Sequence, residues 1–496
     1  MVLNYNKCLR NMTWLKQFTL FAAILFFIGG SPSTTNAQVK LSALFSDGMV
    51  LQQQTTVLIW GTDIAGTPIS VKTSWDQRTY PARTDESGKF SVKINTSKAG
   101  GPYRITVNDG VPLTISNILL GDVWICMGQS NMEIPMKGYK NQPILGSSEA
   151  IVGSKNKNIR LFTVPRSSKT TLQPDIKQSK WEEASPEAVA NFSAVGYYFG
   201  KLINKTTDIP VGLISCSYAG ASIQAWMAPN TLKLYPEIKV PAPTDSIKEV
   251  SRTPTTLYNA MLHPIIGYGV KGAIWYQGES NYDNPEQYES LFVTFVKSLR
   301  SQWGIGDFPF YYAQIAPYDY SQLPPYNKGG KYNSAFLRDA QRKDVDRIPN
   351  SGMAVLMDIG EKTTIHPPNK EPVGTRLAYL ALGNLYGIKG FSYQSPSYHS
   401  LIIKGSEAIV RFKDVGNGLT SFYKEINTFE IAGADKHFYP AKAVIKGSSI
   451  TVTSGNVPQP VSVRYAFKDF VVGDLFGTNG LPVSSFRTDD WSFDAP

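Results

Sequence analysis

The amino-acid sequence predicts an α/β protein with a mostly parallel central sheet and with β-rich segments before and after it. Between about residues 121 and 388, short apolar runs alternate with helical patterns, which is typical of a parallel sheet covered by helices on both faces. On either side of this segment, short strands of alternating polarity are separated by Gly, Asp and Asn. The chain has 496 residues, too many for one hydrophobic core, so we expect two or three domains.

Residues 1–37 have the layout of a secretory signal peptide and are not expected to belong to the fold. Three basic residues, Lys7, Arg10 and Lys16, precede the apolar run 18–28, and small residues at 35 and 37 precede the expected cleavage point. The run is too short for a comfortable membrane span, and none of the later apolar runs is long enough to cross a bilayer. We therefore expect an exported protein, periplasmic or extracellular, with no membrane span.

The composition is that of an ordinary globular protein, with 42% hydrophobic and 18% charged residues. The formal net charge of +10 falls to +7 without the three basic residues of the leader. No block of Lys and Arg of the kind that binds nucleic acid is present, so we expect no nucleic-acid partner. Cys126 and Cys216 each lie inside an apolar strand-like run, which favours two buried free thiols over a disulfide.

The two β-rich segments are predicted to be separate domains. Residues 38–120 should form an N-terminal β-sandwich from the strands TTVLIWG, PISVKTSW, GKFSVKI and YRITVND. Residues 389–496 should form a C-terminal β-domain from EAIVRFKD, AKAVIKG, SITVTSG and VSVRYAF. The central domain is then 121–388.

The central segment contains five predicted strands, the apolar runs 118–127, 210–216, 270–276, 308–315 and 353–357. Its clearest helix follows Asn284, a capping residue, and Pro285, which suits a first turn. Apolar residues then recur every three or four positions up to Trp303, which gives the helix one buried face. Further helices are predicted at 194–205, 335–345 and 373–386.

Candidate functional side chains follow these strands at the edge where α/β sheets bind ligands. Ser130 follows the first run, Gly220 the second, Gln277 the third, and His366 comes after the fifth. Acyl transfer by serine needs such an inventory, namely a nucleophile, a base and donors for an oxyanion. Each residue alone is more typical of a turn or loop, and no G-x-S-x-G elbow supports the standard α/β-hydrolase fold. Their coincidence at one sheet edge favours serine-dependent acyl transfer.

Five segments resemble successive blocks of the sialate O-acetylesterase family, within the SGNH hydrolase superfamily: GQSNM, CSYAGASIQAW, GAIWYQGESN, GMAVLMDIGE and IHPPNKEPVGTRLA. The C-terminal segments FEIAGADKHFYPAKAVI and GLPVSSFRTD are similar to that family too. The resemblance implies an SGNH-type three-layer α/β/α sandwich with flanking N- and C-terminal β-sandwich-like domains. It also implies a serine esterase, without a metal or other cofactor, that removes O-acetyl groups from sugars.

The resemblance assigns roles to four residues. Ser130 matches the nucleophile, His366 the base, and Gly220 the glycine of the oxyanion hole. Gln277 resembles the residue that replaces an oxyanion-hole asparagine in carbohydrate esterases of this kind. Asn131 matches a family position without a specific role.

The chain departs from the family where many members carry an aspartate shortly before the histidine, because Thr363 and Thr364 occupy those positions. Either a carbonyl or hydroxyl group orients the imidazole, or an acid comes from elsewhere. Glu361 is the first candidate for that acid and Asp358 the second, since both precede His366 closely. Glu279 is expected to support the site, either by holding Gln277 or by bonding the backbone.

The substrate predicted from the resemblance is an O-acetylated sugar, most directly acetylated sialic acid. Acetylated xylan or another polysaccharide is an alternative, because nothing in the matching blocks separates the two. A non-catalytic carbohydrate-binding protein is a further alternative, to which the missing aspartate adds weight.

Overall fold

The structure, a computed structural model, describes residues 38–323 and 334–491. The predicted leader, residues 1–37, lies outside the described residues. Within the two described ranges, no helix is long and apolar enough to cross a membrane.

The N-terminal part consists of eight strands: Lys40–Leu41 (β1), Val50–Gln52 (β2), Thr56–Thr62 (β3), Pro68–Thr73 (β4), Thr79–Arg83 (β5), Lys89–Asn95 (β6), Gly100–Asn108 (β7) and Pro112–Gly128 (β8). Strands β1, β3 and β6 form one sheet, while β4, β5 and β7 join a second sheet through β8. The predicted boundary after residue 120 therefore falls inside β8. The first half of this long strand pairs with β7, and the second half enters the central sheet.

The central part alternates strands and helices: Ser130–Glu133 (α1), Ser147–Val152 (α2), Asn156–Thr163 (β9), Trp181–Ala184 (β10), Pro186–Ala190 (α3), Ala194–Thr207 (α4), Val211–Ser217 (β11), Pro229–Leu232 (α5), Gly272–Tyr276 (β12), Pro285–Trp303 (α6), Phe310–Ala313 (β13), Ala335–Arg347 (α7), Ser351–Ala354 (β14) and Glu371–Asn384 (α8). Short 3-10 helices span Ile223–Trp226, His263–Ile265, Glu279–Asn281 and Tyr320–Gln322, and a π-helical turn spans Tyr258–Leu262.

The central sheet is mixed, with strand order β10-β9-β11-β8-β12-β13-β14. All neighbours from β9 to β14 are parallel, and β10 pairs antiparallel with β9 at the edge. The predicted α/β class is confirmed, and the five predicted strands correspond to β8 and β11–β14. Strands β9 and β10 were not predicted. The second of these, Trp-Glu-Glu-Ala, has only its two end residues buried, so it lacks the apolar run that marked the others.

Helices cover both faces of the central sheet. Along β8, Ile125 contributes to the core beneath α6 and α7, whereas Trp124 and Cys126 contribute to the core beneath α4 and α8. Cys126 and Cys216 are both buried free thiols, as expected from their apolar surroundings. Helix α6 begins at the predicted cap, since the Asn284 side chain accepts a hydrogen bond from the backbone N–H of Gln287.

The C-terminal part is all β: Ser397–Lys404 (β15), Glu407–Lys413 (β16), Leu419–Thr420 (β17), Phe429–Ala432 (β18), Phe438–Pro440 (β19), Lys442–Lys446 (β20), Ser449–Thr453 (β21), Ser462–Tyr465 (β22), Phe476–Gly477 (β23) and Phe486–Arg487 (β24). These strands pair as β15-β16-β21-β20, β17-β23 and β19-β18-β22-β24 around an apolar core that also includes Val355 and Met357 from the end of the central part. The buried Arg338 of α7 donates to the backbone carbonyls of Lys468 and Asp469, and so ties this part to the central one.

Candidate active site

Ser130 is the first residue of α1, directly after the long strand β8. The turn before it lies against the end of β12. Gly128 has a φ of +141°, and a Cβ at this position would lie 2.1 Å from the carbonyl oxygen of Tyr276, so only glycine fits. The backbone N–H of Gln129 donates to the same carbonyl at 3.0 Å. The serine is therefore held at the sheet edge by contacts that its neighbours in sequence make.

The Ser130 hydroxyl and the His366 imidazole are hydrogen-bonded. Ser130 Oγ lies 2.7 Å from His366 Nε2, although the two residues are 236 positions apart. On the other side of the ring, Nδ1 lies 2.6 Å from Oε1 of Gln142. An amide oxygen can only accept, so Nδ1 carries the proton and Nε2 is left as the acceptor that a general base needs.

Neither acid that the sequence suggested contacts the imidazole. Asp358 forms a bidentate ion pair with Arg376, with distances of 2.7 and 2.6 Å. Glu361 is exposed, and the Nδ1 position is already taken by Gln142. The geometry therefore supports the other alternative, a ring oriented by an uncharged carbonyl group. Thr364 takes a different part, since its hydroxyl accepts the backbone N–H of His366 at 3.2 Å.

Gln277 does not offer a free donor to a substrate. Its side-chain Nε2 donates to the Ala221 carbonyl at 3.1 Å and to Asn281 Oδ1 at 2.8 Å, which uses both amide hydrogens. The backbone N–H of Ile223 donates to the same Asn281 oxygen at 3.0 Å and thereby fixes the orientation of that amide. The residue is fully buried. The structure thus does not support the predicted oxyanion-hole role of the Gln277 side chain, which instead joins the ends of two strands.

Gly220 lies in the loop after β11, the strand next to β8. It has a φ of +73°, the left-handed region that favours glycine. Among the described residues, neither its backbone N–H nor that of Ser130 donates to a backbone carbonyl. These two N–H groups are the candidate oxyanion donors that remain.

Asn131 connects three segments around the site. Its amide nitrogen donates to Glu279 Oε1 and, at 3.0 Å, to the carbonyl of Ile365, the residue before His366. Its amide oxygen accepts from Nζ of Lys370. Glu279 does not bond Gln277, which was one of its two expected tasks. Lys370 was not singled out from the sequence, although it lies four residues after His366 in a segment that matches the family.

Comparison with known proteins agrees with this geometry. Residues 120–379 match the sequence model of a family described as carbohydrate esterase, sialic acid-specific acetylesterase. The chain belongs to this family. It is a carboxylic ester hydrolase.

The similarity to known proteins extends over most of this chain. The chain is 26% identical over 514 residues to the sialate O-acetylesterase of Mus musculus, covering 90% of this chain and 93% of the mouse protein. It is 28% identical to the Homo sapiens sialate O-acetylesterase over 392 residues, or 72% and 73% of the two chains. The crystal structure of a carbohydrate acetylesterase from Xanthomonas citri is 33% identical, with a TM-score of 0.82, and covers 92% of this chain and 100% of that one.

The electrostatics of the esterase keep its histidine neutral. Burial, and secondly the positive charge of Lys370, lower the pKa of His366 to about 4. A base that is neutral at every pH above this value is ready to accept the serine proton, although it holds that proton weakly.

The first prediction concerns pH. We expect kcat/KM for 4-nitrophenyl acetate to stay nearly constant from about pH 8 to about pH 5, and to fall only as His366 becomes protonated. An acid limb near the ordinary histidine pKa of 6.5 would contradict the lowered value.

The pH dependence of folding stability should reflect the same histidine. Because the folded pKa lies below the unfolded one, the contribution of His366 is complete above pH 6.5 and is lost as the pH falls towards about 4.

Proposed function

We propose that the protein is an exported acetylesterase that removes O-acetyl groups from sugars, with Ser130 as nucleophile and His366 as general base. The observation that carries this proposal is the hydrogen-bonded series Ser130 Oγ, His366 and Gln142, with distances of 2.7 and 2.6 Å. It supplies a nucleophile, a base and a group that orients the base. The proposed substrate class, an O-acetylated sugar, is taken from the names of the relatives.

In the proposed mechanism, His366 Nε2 takes the hydroxyl proton while Ser130 Oγ attacks the acetyl carbon. The backbone N–H groups of Ser130 and Gly220 receive the resulting oxyanion. The bond to the sugar oxygen then breaks, and this oxygen takes the proton from the imidazolium. Water, deprotonated by His366, then attacks the acetyl carbon. The bond to Ser130 Oγ breaks, Oγ takes the proton from the imidazolium, and acetate leaves. Throughout, the Gln142 carbonyl keeps the proton of the ring on Nδ1.

The finer fold and the domain division are part of the same proposal. We assign residues 121–388 to an SGNH-type three-layer α/β/α sandwich, flanked by β-sandwich-like domains at 38–120 and 389–496. Helices on both faces of the central sheet support the sandwich, and the C-terminal strands support a further domain, since the central segment adds only Val355 and Met357 to the buried residues of their core. The N-terminal strands share their core with the central sheet. The leader-like residues 1–37 support export.

Acetylated sialic acid is the first substrate to test, because curated relatives are named sialate O-acetylesterase. Acetate release should be measured from 4-nitrophenyl acetate, 9-O-acetylated sialic acid and acetylated xylan, with wild type and Ser130→Ala side by side. Activity that disappears with Ser130 supports the esterase. A folded wild type that releases no acetate from any of the three would favour a non-catalytic carbohydrate-binding protein.

One observation favours the second candidate substrate, a neutral acetylated polysaccharide. A cavity of about 250 Å³ beside α1 is lined by residues that include Glu133, Tyr139 and Arg166. Neither Ser130 nor His366 lines this cavity, but the ring of Tyr139, which does, lies 6.3 Å from that of His366. Arg166, the cation of this cavity, forms a bidentate pair with Glu133 at 2.6 Å for both bonds. A substrate carboxylate would have to compete with Glu133 for that arginine.

Arg252, a second arginine near the site, donates to the carbonyl of Ser280 at 3.2 Å. Burial raises the pKa of Asp283, and the charge of Arg252 opposes this rise. A cavity whose arginine, Arg166, is already paired with an acid suits an uncharged sugar better than an anionic one.

The second prediction tests this charge balance. Glu133→Gln frees Arg166 and should lower KM for 9-O-acetylated sialic acid about fivefold, the worth of one partly exposed ion pair. KM for a neutral acetylated sugar should change by less than about twofold, since no charge is gained or lost in that complex. The control is Glu133→Gln combined with Arg166→Gln, which should lose the gain. Equal improvement for both substrates would contradict the role of the charge.

A further inference from the structure

The chain buries a lysine and a glutamate next to the proposed catalytic pair, and the mechanism above uses neither of them. Lys370 and Glu279 are 0% and 3% exposed, and Asn131 lies between them as a shared hydrogen-bond partner. Burial of two ionisable groups is costly, because each loses its hydration. Replacement by apolar residues would avoid this cost, so a function is the more natural reason for it.

The position of these three residues indicates what that function is. Asn131 follows the nucleophile directly in the chain, while Ile365, whose carbonyl it bonds at 3.0 Å, directly precedes the base. Lys370 lies just before α8 and reaches back to the same asparagine. The segment that carries His366 is therefore held to the nucleophile segment at two points, one on each side of the histidine.

We propose that Lys370 is a positioning residue, which holds the His366 segment against the Ser130 segment through Asn131. Its role rests on the proposed esterase mechanism. It would take over, in this chain, part of the geometric task of the aspartate that Thr363 and Thr364 replace.

The charges that face His366 are consistent with this role. Lys370 is the cation that opposes protonation of the ring. Glu279 is the nearby acid, and it accepts a hydrogen bond from Asn131 rather than from the imidazole. The Gln142 amide is neutral, and the pair of Glu133 and Arg166 lies beyond the Tyr139 ring.

Burial shifts the pKa values of both groups towards their neutral forms. It raises the pKa of Glu279 and lowers the pKa of Lys370 to about 7. The charge of each group opposes the shift of the other, with a smaller effect than burial. The phenol ring of Tyr276 lies 5.8 Å from Lys370 Nζ and adds a favourable contact for the ammonium.

The third prediction separates the charge of this bridge from its shape. Lys370→Met removes the cation and should move the acid limb of the kcat/KM profile to higher pH, with kcat about 100-fold lower, as for a misplacement of about 1 Å. KM for 4-nitrophenyl acetate should change by less than about threefold, because Lys370 does not reach the substrate. Glu279→Gln keeps an acceptor for Asn131. Because burial raises the pKa of Glu279 above its ordinary value, this acid is protonated at the pH of the limb, and the variant should leave the limb in place.

The controls distinguish the possible failures. Lys362→Met makes the same change at an exposed lysine of the same loop and should leave both kcat and the acid limb unchanged. If folded Lys370→Met keeps the wild-type kcat and acid limb, or if Glu279→Gln moves the limb as far as Lys370→Met does, the proposed role is wrong. If Lys370→Met does not fold, Lys370→Gln, which removes the charge but keeps a hydrogen-bond donor, is measured in its place. A wild type without hydrolysis would contradict the proposed function instead.

Discussion

Ser130→Ala is expected to lower kcat/KM for 4-nitrophenyl acetate at least about 10⁴-fold, because the nucleophile and its base act as one unit. The alanine removes the only hydroxyl that hydrogen-bonds His366 Nε2 among the described residues. Hydrolysis should be followed by absorbance, and acetate release should be measured in parallel for the acetylated sugars.

The fold should survive this change, since the turn is held by Gly128 and the backbone of Gln129 rather than by the Ser130 hydroxyl. The midpoint of thermal unfolding should therefore stay close to that of the wild type. As a matched control, Ser168→Ala removes an exposed hydroxyl whose contact is the Val250 carbonyl, and should keep wild-type activity. A Ser130→Ala variant that is folded and still active would show that another group attacks the ester.

Gln142→Leu is expected to lower kcat about 100-fold, because a base that loses its tautomer and orientation forfeits much of its contribution. Leucine has nearly the same volume but leaves His366 Nδ1 without its acceptor. Gln142→Glu keeps the contact and adds a charge that stabilises the imidazolium. It should raise the pKa of His366 and move the acid limb of kcat/KM upward by about one pH unit or more.

Glu361→Gln is the matched control, because it removes the exposed acid that the sequence suggested for this task. Its kcat and its acid limb should equal those of the wild type. If instead Glu361→Gln lost activity and Gln142→Leu kept it, the acid would orient the ring in the working enzyme and the assignment to Gln142 would be wrong. Asp358 is less informative, since its loss would also leave Arg376 unpaired.

Several features of the protein could be predicted from the order of residues alone. Apolar runs of strand length and the α6 pattern indicate the α/β class, because periodicity and capping are local properties of a chain. Ser130 and His366 could be proposed as a pair, because both follow strands whose carboxyl ends must meet at one sheet edge. The family could be recognised from the five blocks, and the match of residues 120–379 confirms it.

Other features depend on contacts that no local pattern encodes. Gln142 lies in a surface loop, carries no charge and belongs to no motif, so only the packing of that loop against His366 places it at Nδ1. The position of Gln277 after a strand suggests an oxyanion-hole role for its side-chain amide. Whether the two N–H groups of this amide are free depends on Ala221 and Asn281, which accept hydrogen bonds from them in the fold.

The charges around the site show most clearly which properties depend on tertiary structure rather than on sequence. A sequence lists Glu133, Arg166, Glu279 and Lys370 without saying which acid faces which cation. Coulomb energies and desolvation depend on distance and burial, and these are set only when β8, β9, β12 and α8 are brought together in the fold. The chemistry available to the chain was therefore readable in its residues, whereas the protonation state and orientation of the base were decided by tertiary structure.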